Sequence, residues 1–452
     1  MANSPPTSIA PIGQNAANSV AARLDRLPLS GWHRRMVVLI GLGSFCNLFE
    51  IALGSFLGVL LGEQWSLSTL DRAMVIGALF AGEMIGSLLL APLADRFGRR
   101  LLFQVNLLTY AVLSVATAFA ADLDVFLVLR LLTGIGLGAE LTLVDTYMSE
   151  LLPRARRGRY LAWSYTIGLL AVPLAGVLAT AANTTIAGLA GWRWLLILGA
   201  CGGLAVWLLR RRLPESPRWL AATGNAAEAD RIVDEIEREV APALPAAPAA
   251  PPAAIADPPP AATYRRRAVL MWVMQIASPV GFYAFASIAP IVLLAKGFDL
   301  AHSLMYSALT ALGYPLGSLV SVYLTERVER RTLLIVSTLA AAVFGVAFGL
   351  ATNITVVVIA GIATSVSTVM QSNFTHIYQA ELFHTTNRST AIGIPYAASR
   401  LVGALLPLAA LSLLTAIGSS GLYTCCAILL GATALAIRLL GPRTNNQQLD
   451  TI

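Results

Sequence analysis

Apolar runs of about 20 residues recur along the whole sequence and are separated by short polar segments. A run of that length, folded as an α-helix, crosses the hydrocarbon core of a bilayer. The composition agrees with this interpretation, because 57% of the residues are hydrophobic, 12% are charged and the mean hydropathy is +0.71. Soluble chains carry roughly 25% charged residues. The sequence therefore predicts a polytopic helical membrane protein, and the formal charge of +7 reflects its loops rather than nucleic-acid binding.

Two charged motifs return at the same distance along the chain. GSLLLAPLADRFGRR at 86–100 is followed 231 positions later by GSLVSVYLTERVERR at 317–331. YMSELL at 147–152 returns as YQAELF at 378–383 with the same offset. Because two motifs share one long offset, we interpret the chain as a duplication of a single helical unit.

Twelve spans are predicted, six in each repeat. In the first repeat they lie near 36–61, 73–94, 101–120, 125–147, 160–180 and 192–209; in the second, near 268–295, 304–324, 333–350, 354–378, 390–414 and 421–440. The predicted fold is all-α and integral to the membrane, with two six-helix bundles related by a pseudo-two-fold axis.

Basic residues predict the orientation. Most of the 31 Lys and Arg fall in the N-terminal tail, in the loops after spans 2, 4, 6, 8 and 10, and at the C-terminal end. The loops on the other side hold only Arg72, Arg193 and Lys296. By the positive-inside rule, both termini are cytoplasmic and the protein lies in the cell (inner) membrane.

Polar segments divide the chain into five predicted parts. They are a cytoplasmic tail (1–35), predicted to be disordered up to Leu29, the first bundle (36–210), a cytoplasmic loop (211–266), the second bundle (267–440) and a second cytoplasmic tail (441–452). Within the loop, NAAEADRIVDEIEREV predicts a short amphipathic surface helix. The Ala- and Pro-rich run 241–262 predicts a semi-extended linker.

Four motifs resemble those of the major facilitator superfamily. They are LADRFGRR at 93–100, RLLTGIGLG at 130–138, ELLPRARRG at 150–158 and PESPRWL at 214–220. The last three are similar to the branch that contains sugar porters, organic cation and anion carriers and bacterial metabolite:proton symporters. PESPRWL is the most specific of them, and the resemblance covers nearly the whole chain.

The short loop at 62–71 narrows this resemblance. Organic-ion carriers of animals have a large loop there, so the chain resembles the bacterial members, and most of all niacin (vitamin B3) permeases and aromatic-acid symporters. The resemblance implies a secondary transporter that works by alternating access. Such a protein takes a small-molecule substrate and, in the coupled members, protons.

The repeated loop motif predicts a cytoplasmic gate. Asp95, Arg96 and Arg99 surround Gly98, which permits a tight turn, and we expect them to contact Glu150 and Arg157 and so lock the outward-open state. The second repeat is expected to mirror this cluster with Glu326, Arg327, Glu381 and Arg388. Alternatively, the arginines only hold the loops on the cytoplasmic side.

Charged residues inside a membrane are costly and mark functional sites by default. Glu50 lies 14 residues after Met36, about 21 Å into the first helix, and Arg130 lies six residues after Asp124, about 9 Å from the outer side. In a core about 30 Å thick the two depths coincide, so we predict an ion pair. It serves either as a proton switch or as a permanent bridge between helices 1 and 4. The resemblance implies the switch, because Glu50 and Arg130 match the helix 1 acid and helix 4 arginine of proton-coupled sugar porters.

Arg400 lies about 18 Å deep in helix 11, near the middle of the membrane. No acidic residue of its own helix is within reach, and a guanidinium group binds carboxylates through two parallel hydrogen bonds. An unpaired arginine there predicts an anionic substrate, and the position resembles the helix 11 arginine of organic-anion carriers. The alternative is a partner acid or carbonyl on another helix.

Asp145 and His376 are separated by the repeat offset of 231 positions. Both are predicted to lie at the inner end of the cavity, where His376 titrates near neutrality unless it is perturbed. They are further candidates for proton coupling, or else hydrogen-bonding partners within the gate. Glu140 is expected to have only a packing role near the glycines of GIGLG.

Helix 7 and its neighbours supply candidate substrate ligands. Helix 7 is interrupted by Pro279 and Gly281, as in helices that line a cavity. The candidates for stacking on a flat ring are Phe282, Tyr283, Trp163, Tyr165 and Tyr396, and the polar candidates are Gln275, Gln371 and Asn373. Sugar porters carry a pair of glutamines and a following asparagine here, and the single Gln275 disfavours a hexose.

The sequence therefore predicts proton-coupled import of a small aromatic or heteroaromatic carboxylate such as nicotinate. A sugar or sugar-acid symporter is the second interpretation, and an organic cation or drug carrier is the third. We expect a monomer in the lipid bilayer without cofactor, metal or nucleic-acid partner. No nucleophile–base arrangement or nucleotide loop indicates an enzyme.

Overall fold

The computed structural model describes residues 20, 22–153, 157–240, 261–286, 288–325, 327–382 and 388–443, with side chains left out at 91, 261–263, 286, 380–381 and 388–394. The predicted linker 241–262 therefore lies almost entirely outside the described residues, as do most of both tails.

The first repeat forms eight helical segments. They are α1 (Gly31–Gln64), α2 (Thr69–Phe97), α3 (Arg99–Ala118), α4 (Leu123–Leu137), α5 (Glu140–Leu151), α6 (Arg157–Leu169), α7 (Ala171–Ala181) and α8 (Gly191–Arg210). α4 and α5 together make the fourth span, and α6 and α7 the fifth. A small antiparallel hairpin of β1 (Thr185–Ile186) and β2 (Leu189–Ala190) precedes α8, which the all-α prediction did not include.

The loop between the repeats contains α9 (Pro217–Ala222) and α10 (Ala226–Val240). The second repeat contains α11 (Ala261–Ala286), α12 (Ala289–Ala295), α13 (Leu300–Ala311), α14 (Gly313–Leu324), α15 (Arg330–Leu350), α16 (Ile354–Leu382) and α17 (Arg388–Leu440). α11 and α12 belong to the seventh predicted span, and α13 and α14 form the eighth.

Eleven helices of the described chain are long and apolar enough to cross a membrane. The last of them, Pro395–Leu440, is 46 residues long and holds two of the predicted spans. They are joined at Gly418, whose φ of 70° and ψ of −178° break the helix inside α17. The twelve-helix prediction is therefore confirmed, with the last two helices joined by a kink.

The end of the N-terminal tail is ordered, so the prediction of a disordered tail up to Leu29 is wrong there. Val20, Leu24 and Leu27 are buried against the apolar face of α10. Arg23, on the same segment, forms ion pairs of 2.5–3.1 Å with three acids of α10, namely Asp230, Asp234 and Glu237. Hydrogen bonds from Arg23 and Arg26 lower the pKa of Glu237, because they stabilise its charged form.

One end of the bundle, called here the basic face, carries Arg99, Glu150, Arg210 and the loop helices α9 and α10. The helices cross from it to the opposite face, where Gln64 and Asp122 lie. Two apolar cores fill the two ends of the first bundle, one of them shared with the second bundle. Polar residues are concentrated between the bundles at mid-height.

Close backbone contact between α2 and α4 depends on a glycine. A Cβ added to Gly134 would lie 2.1 Å from the carbonyl oxygen of Leu79, which a real side chain never does. We expect Gly134→Ala to force the helices apart and to lower stability by about 1–3 kcal/mol, the usual cost of overpacking. The melting temperature of the purified protein in detergent measures this loss.

Gly202→Ala is the matched control, because nothing lies within 4 Å of a Cβ at that position of α8. It should be neutral or stabilising by up to about 1 kcal/mol through helix propensity. Equal melting temperatures for the two variants would contradict the packing argument.

Candidate functional site

A cavity with an empty volume of about 800 Å³, part of it open to solvent, lies between the two bundles. α1, α5, α6, α11, α16 and α17 all contribute to its wall. Of the sequence-predicted ligands, the following residues line it: Tyr165, Gln275, Phe282, Tyr283, Gln371, Asn373, His376, Tyr396 and Arg400. The helices thus bring together side chains that are more than 200 positions apart in the sequence.

Arg400 lies in the cavity wall but is not unpaired, so the expectation of a free arginine is wrong. Its Nη1 lies 3.2 Å from Oε2 of Glu83, which is in the middle of α2. Nη1 also donates to the hydroxyl of Tyr283 and Nη2 to that of Tyr396, both at 2.8 Å. The alternative of a partner acid on another helix is the one that the structure favours.

Glu83 is a functional candidate that the sequence reasoning missed. It is 1% exposed, and Nδ2 of Asn47 donates to its Oε1 at 2.8 Å. The criterion that selected Glu50, an acid in an apolar helix, applies equally to Glu83 and would have found it. The depth of Arg400 along its own helix had no means of revealing a partner on α2.

Glu50 and Arg130 form the predicted ion pair through Oε2 and Nη1. Both side chains are completely buried. Ser114 donates to the other carboxylate oxygen at 2.8 Å, and Arg130 Nη2 donates to the backbone oxygen of Glu50 at 3.2 Å. Neither residue lines the cavity, so a change at this pair acts on it indirectly, through the packing of α1 and α4 or through the charge of Arg130 near Glu83. Their role in proton coupling stays a prediction.

A row of polar rings connects Arg400 with Asp145. The hydroxyl of Tyr165 donates to Oδ1 of Asp145 at 2.7 Å, and the Tyr165 ring stacks on His376 with centroids 5.6 Å apart. His376 meets the ring of Tyr396 at 5.9 Å, and Tyr396 contacts Arg400. Tyr165 thus connects Asp145 of the first bundle with His376 of the second, and of these two residues only His376 lines the cavity.

The amide side chains of the cavity already have partners. Gln275 donates to Gln379 at 2.7 Å and Gln371 to Ser278 at 3.2 Å. Asn373 donates at 3.2 Å to Ser318, whose hydroxyl also contacts Thr166 across the two bundles. A ligand that binds these same N–H groups has to replace hydrogen bonds within the protein.

Trp163 is not a cavity residue, which corrects its place among the stacking candidates. It is 39% exposed on the outside of the bundle. The cavity face of α6 is made by Tyr165 and Leu169, four residues apart and therefore one above the other. Trp163 precedes Tyr165 by two residues, so it points to the other side of the helix.

Glu140 and Arg210 form a second buried ion pair, which corrects the expectation that Glu140 only packs. Nη1 of Arg210 lies 2.7 Å from Oε1 of Glu140, and both side chains are fully buried. Arg210 also donates to the carbonyl oxygens of Leu39 and Ile40 at 3.0 and 2.7 Å. This pair joins α8, α5 and α1 near the basic face and lies outside the cavity.

At the basic face, Arg99 is the centre of the predicted gate. It pairs with Asp95 at 2.8 Å and with Glu150 at 3.2 Å. Arg96 instead lies over the ring of Phe97, and Arg157 is 3.7 Å from Asp25 of the N-terminal segment. The cluster therefore links α2, α3 and α5 of the first bundle through Arg99 rather than through Arg96.

The PESPRWL segment completes this cluster, which the sequence reasoning did not anticipate. Glu215 accepts hydrogen bonds from the backbone N–H groups of Arg99 and Arg100. Gly98, with φ of 99°, allows this approach, because a Cβ there would lie 2.4 Å from Oε2 of Glu215. Burial raises the pKa of Glu215 against the opposing effect of the backbone N–H groups. Trp219 donates to the carbonyl oxygen of Asp95 at 2.8 Å.

The mirrored cluster is only partly described. Arg327 lies over the ring of Tyr323 at 3.7 Å. Glu326 lies outside the described residues, as do the side chains of Glu381 and Arg388. The predicted mirror contacts therefore stay a prediction.

Removing the buried acid of the first cluster tests the gate. Glu150 is 17% exposed and Asp95 is 75% exposed, and exposed ion pairs contribute at most about 1 kcal/mol. We therefore expect Glu150→Gln to reduce the initial transport rate more than Asp95→Asn does. Alkylation of a cysteine introduced at Ser372, in a background free of native cysteines, reports how often the cavity opens. If neither variant changes the rate or the alkylation, the cluster only sets topology.

Comparison with known proteins agrees with this architecture. The sequence model of the family described as "Sugar (and other) transporter" matches residues 42–452. The inner membrane metabolite transport protein YdjE of Escherichia coli (strain K12) is 27% identical, over 96% of this chain and 98% of its own. The niacin transporter NiaP of Acinetobacter baylyi is 24% identical, over 96% and 99%.

Among solved structures, the partially occluded inward-open form of the xylose transporter XylE from Escherichia coli superposes with a TM-score of 0.74. The two share 18% sequence identity, and the match covers 93% of this chain and 100% of the other. The fold is thus that of a major facilitator superfamily transporter. The chain belongs to the sugar (and other) transporter family within it, as a secondary transporter of small molecules, not an enzyme, and a multi-pass protein of the inner membrane.

Proposed function

We propose that this protein imports a small aromatic or heteroaromatic carboxylate, such as nicotinate, together with protons. The observation that carries the proposal is Arg400, a guanidinium in the wall of the cavity between the bundles. Its position suits a carboxylate, because the planar fork of arginine matches the two oxygens of that group. The rings of Tyr283, Tyr396 and Phe282 are close enough to hold a flat ring beside it.

Proton coupling is assigned to the Glu50–Arg130 pair. Protonation of Glu50 removes the charge that holds Arg130, and the packing of α1 against α4 changes with it. Asp145 and His376 are the second candidates, because they face the same cavity through Tyr165. The basic face is taken as cytoplasmic by the positive-inside rule, with both termini on that side and the monomer as the working unit.

The niacin transporter among the relatives supports the substrate class, since niacin is a pyridine carboxylate. A sugar or sugar acid is the runner-up, favoured by the family description and by the amides that line the cavity. Those amides are engaged with Gln379, Ser278 and Ser318, which weakens this alternative. An organic cation is third, because Glu83, the acid that would bind it, is already paired with Arg400.

A ligand screen on the purified protein tests the proposal. Nicotinate and benzoate should raise the melting temperature, because a ligand at 100 times its Kd stabilises the folded state by about 2.7 kcal/mol. Nicotinamide, xylose and glucose at the same concentrations should raise it much less. A rise with a hexose but not with a carboxylate would replace the proposed substrate class by the runner-up.

A further inference from the structure

Glu83 and Arg400 connect the two halves of the transporter beside the cavity. Glu83 lies on α2 of the first bundle and is 1% exposed, whereas Arg400 lies on α17 of the second bundle and is 3% exposed. Arg400 lines the cavity and Glu83 does not. A ligand in the cavity therefore approaches the guanidinium from a side other than the one that Glu83 occupies.

The hydrogen bonding of this pair is incomplete. Arg400 Nε and Glu83 Oε2 are both buried and have no hydrogen-bond partner among the described atoms. Their contact, 3.2 Å from Nη1 to Oε2, is longer than the 2.7–2.9 Å of a good charge-assisted bond. Buried polar groups are normally satisfied, so the guanidinium retains capacity for a better acceptor.

The net charge of the site determines whether a proton must accompany a substrate carboxylate. The Glu83–Arg400 pair is neutral as a unit, and a substrate carboxylate added beside it leaves one uncompensated negative charge in a buried place. Such a charge strongly disfavours binding. A proton on Glu83 removes the excess charge and leaves the guanidinium without an anionic partner, so that the substrate carboxylate becomes its counter-ion.

We propose that Glu83 is a second protonation site, at which one proton is taken up when a substrate carboxylate replaces Glu83 as the counter-ion of Arg400. This inference rests on the proposed carboxylate substrate and deepens it. The step forms one O–H bond: a proton from the aqueous phase goes to a carboxyl oxygen of Glu83, and Asn47 continues to donate to Oε1. Glu83 is then a residue that makes substrate binding depend on protons, separate from the Glu50 switch.

Other charged and titratable groups lie around Glu83. From α17 and α11 the groups that face it are Arg400, Tyr396 and Tyr283, and Arg130 on α4 acts on it from farther away. Further groups on the helices packed against α2 include Glu50 beside Arg130, Asp145 beside Tyr165, Glu140 beside Arg210, Tyr110 within α3, and Arg99 and Arg100 at the start of α3. Only Glu83 is an acid in contact with Arg400 among the described residues.

Binding measured as a function of pH tests the proposal. The parent protein should bind nicotinate with a Kd that rises about tenfold per pH unit once Glu83 titrates, because binding and protonation are linked. In Glu83→Gln, which is neutral at every pH, the Kd should be flat and equal to the low-pH value of the parent. Calorimetry of the parent in two buffers of different ionisation heat should give one proton taken up per nicotinate, without any variant.

A matched control separates Glu83 from other buried acids. Glu140→Gln changes another fully buried glutamate with an arginine partner and should keep the parent's dependence of Kd on pH. A dependence of Kd on pH that survives in Glu83→Gln overturns the proposal. Failure of the parent to bind any carboxylate overturns the proposed substrate class as well, which is a different result.

Discussion

Glu50→Gln is expected to abolish accumulation of substrate against its gradient while exchange of labelled substrate at equilibrium continues. Glutamine keeps the shape of the side chain and a hydrogen bond with Ser114 but carries no titratable group. Only the proton-dependent step at the Glu50–Arg130 pair is then removed, whereas the cavity, which Glu50 does not line, is unchanged. Proteoliposomes with an imposed proton gradient measure the accumulation, and counterflow measures the exchange.

Stability has to be measured alongside, because the change leaves Arg130 buried without its acid. Breaking a buried pair in this way costs about 3–5 kcal/mol. Glu140→Gln is the matched control, since it removes the acid of the other fully buried pair, with Arg210, and should lower the melting temperature without loss of accumulation. Concentrative uptake that survives in Glu50→Gln would place the coupling elsewhere, with Asp145, His376 and Glu83 the remaining candidates.

Arg400→Ala is expected to weaken binding of nicotinate about 10- to 150-fold, the equivalent of 1.5–3 kcal/mol for a hydrogen bond to a charged group. Binding of nicotinamide, which has the same ring but no negative charge, should change much less. Arg400→Lys keeps the charge but loses the planar fork, and should recover only part of the affinity. Isothermal titration of the two ligands on each variant measures the difference.

Arg400→Ala alone leaves the buried carboxylate of Glu83 without its cationic partner, and this can itself change the measured affinity. The double variant Arg400→Ala with Glu83→Gln removes both charges and separates loss of the ligand contact from the cost of an unpaired acid. If acid and amide lose equal affinity in both backgrounds, Arg400 has a structural role, and the carboxylate hypothesis fails with it.

The fold could be predicted from the sequence because its determinants are local or repeated. Run length, basic loops and the offset of 231 positions gave twelve helices and two bundles without any knowledge of contacts. The Glu50–Arg130 ion pair could also be predicted, because the depth of each residue in the membrane follows from its position along its helix and the two depths are equal. The duplication likewise gave Asp145 and His376 equivalent places on the two bundles.

The partners of Arg400 could not be predicted in this way, because the depth of a residue in the membrane does not determine which helices are neighbours. Glu83 and Tyr283 reach Arg400 from α2 and α11, and only the packing of the bundles determines that meeting. The side of α6 that faces the cavity was equally hidden, so Trp163 and Tyr165 looked alike in the sequence. The burial of Val20, Leu24 and Leu27 was missed because their apolar spacing was hidden by the polar residues around them.

The neutral Glu83–Arg400 pair has a consequence for leakage. In the empty carrier the intact Glu83–Arg400 pair has no net charge. The change between inward-open and outward-open states then buries no uncompensated charge, and its free-energy cost is low. When Glu83 is protonated and no carboxylate is bound, the positive charge of Arg400 has no anionic partner. Occluding the cavity around that charge costs several kcal/mol. Under the proposed exchange, the carrier that holds a proton without substrate therefore cannot occlude its cavity. The Glu83–Arg400 contact between the bundles would then prevent proton leakage through the carrier when the substrate concentration is low.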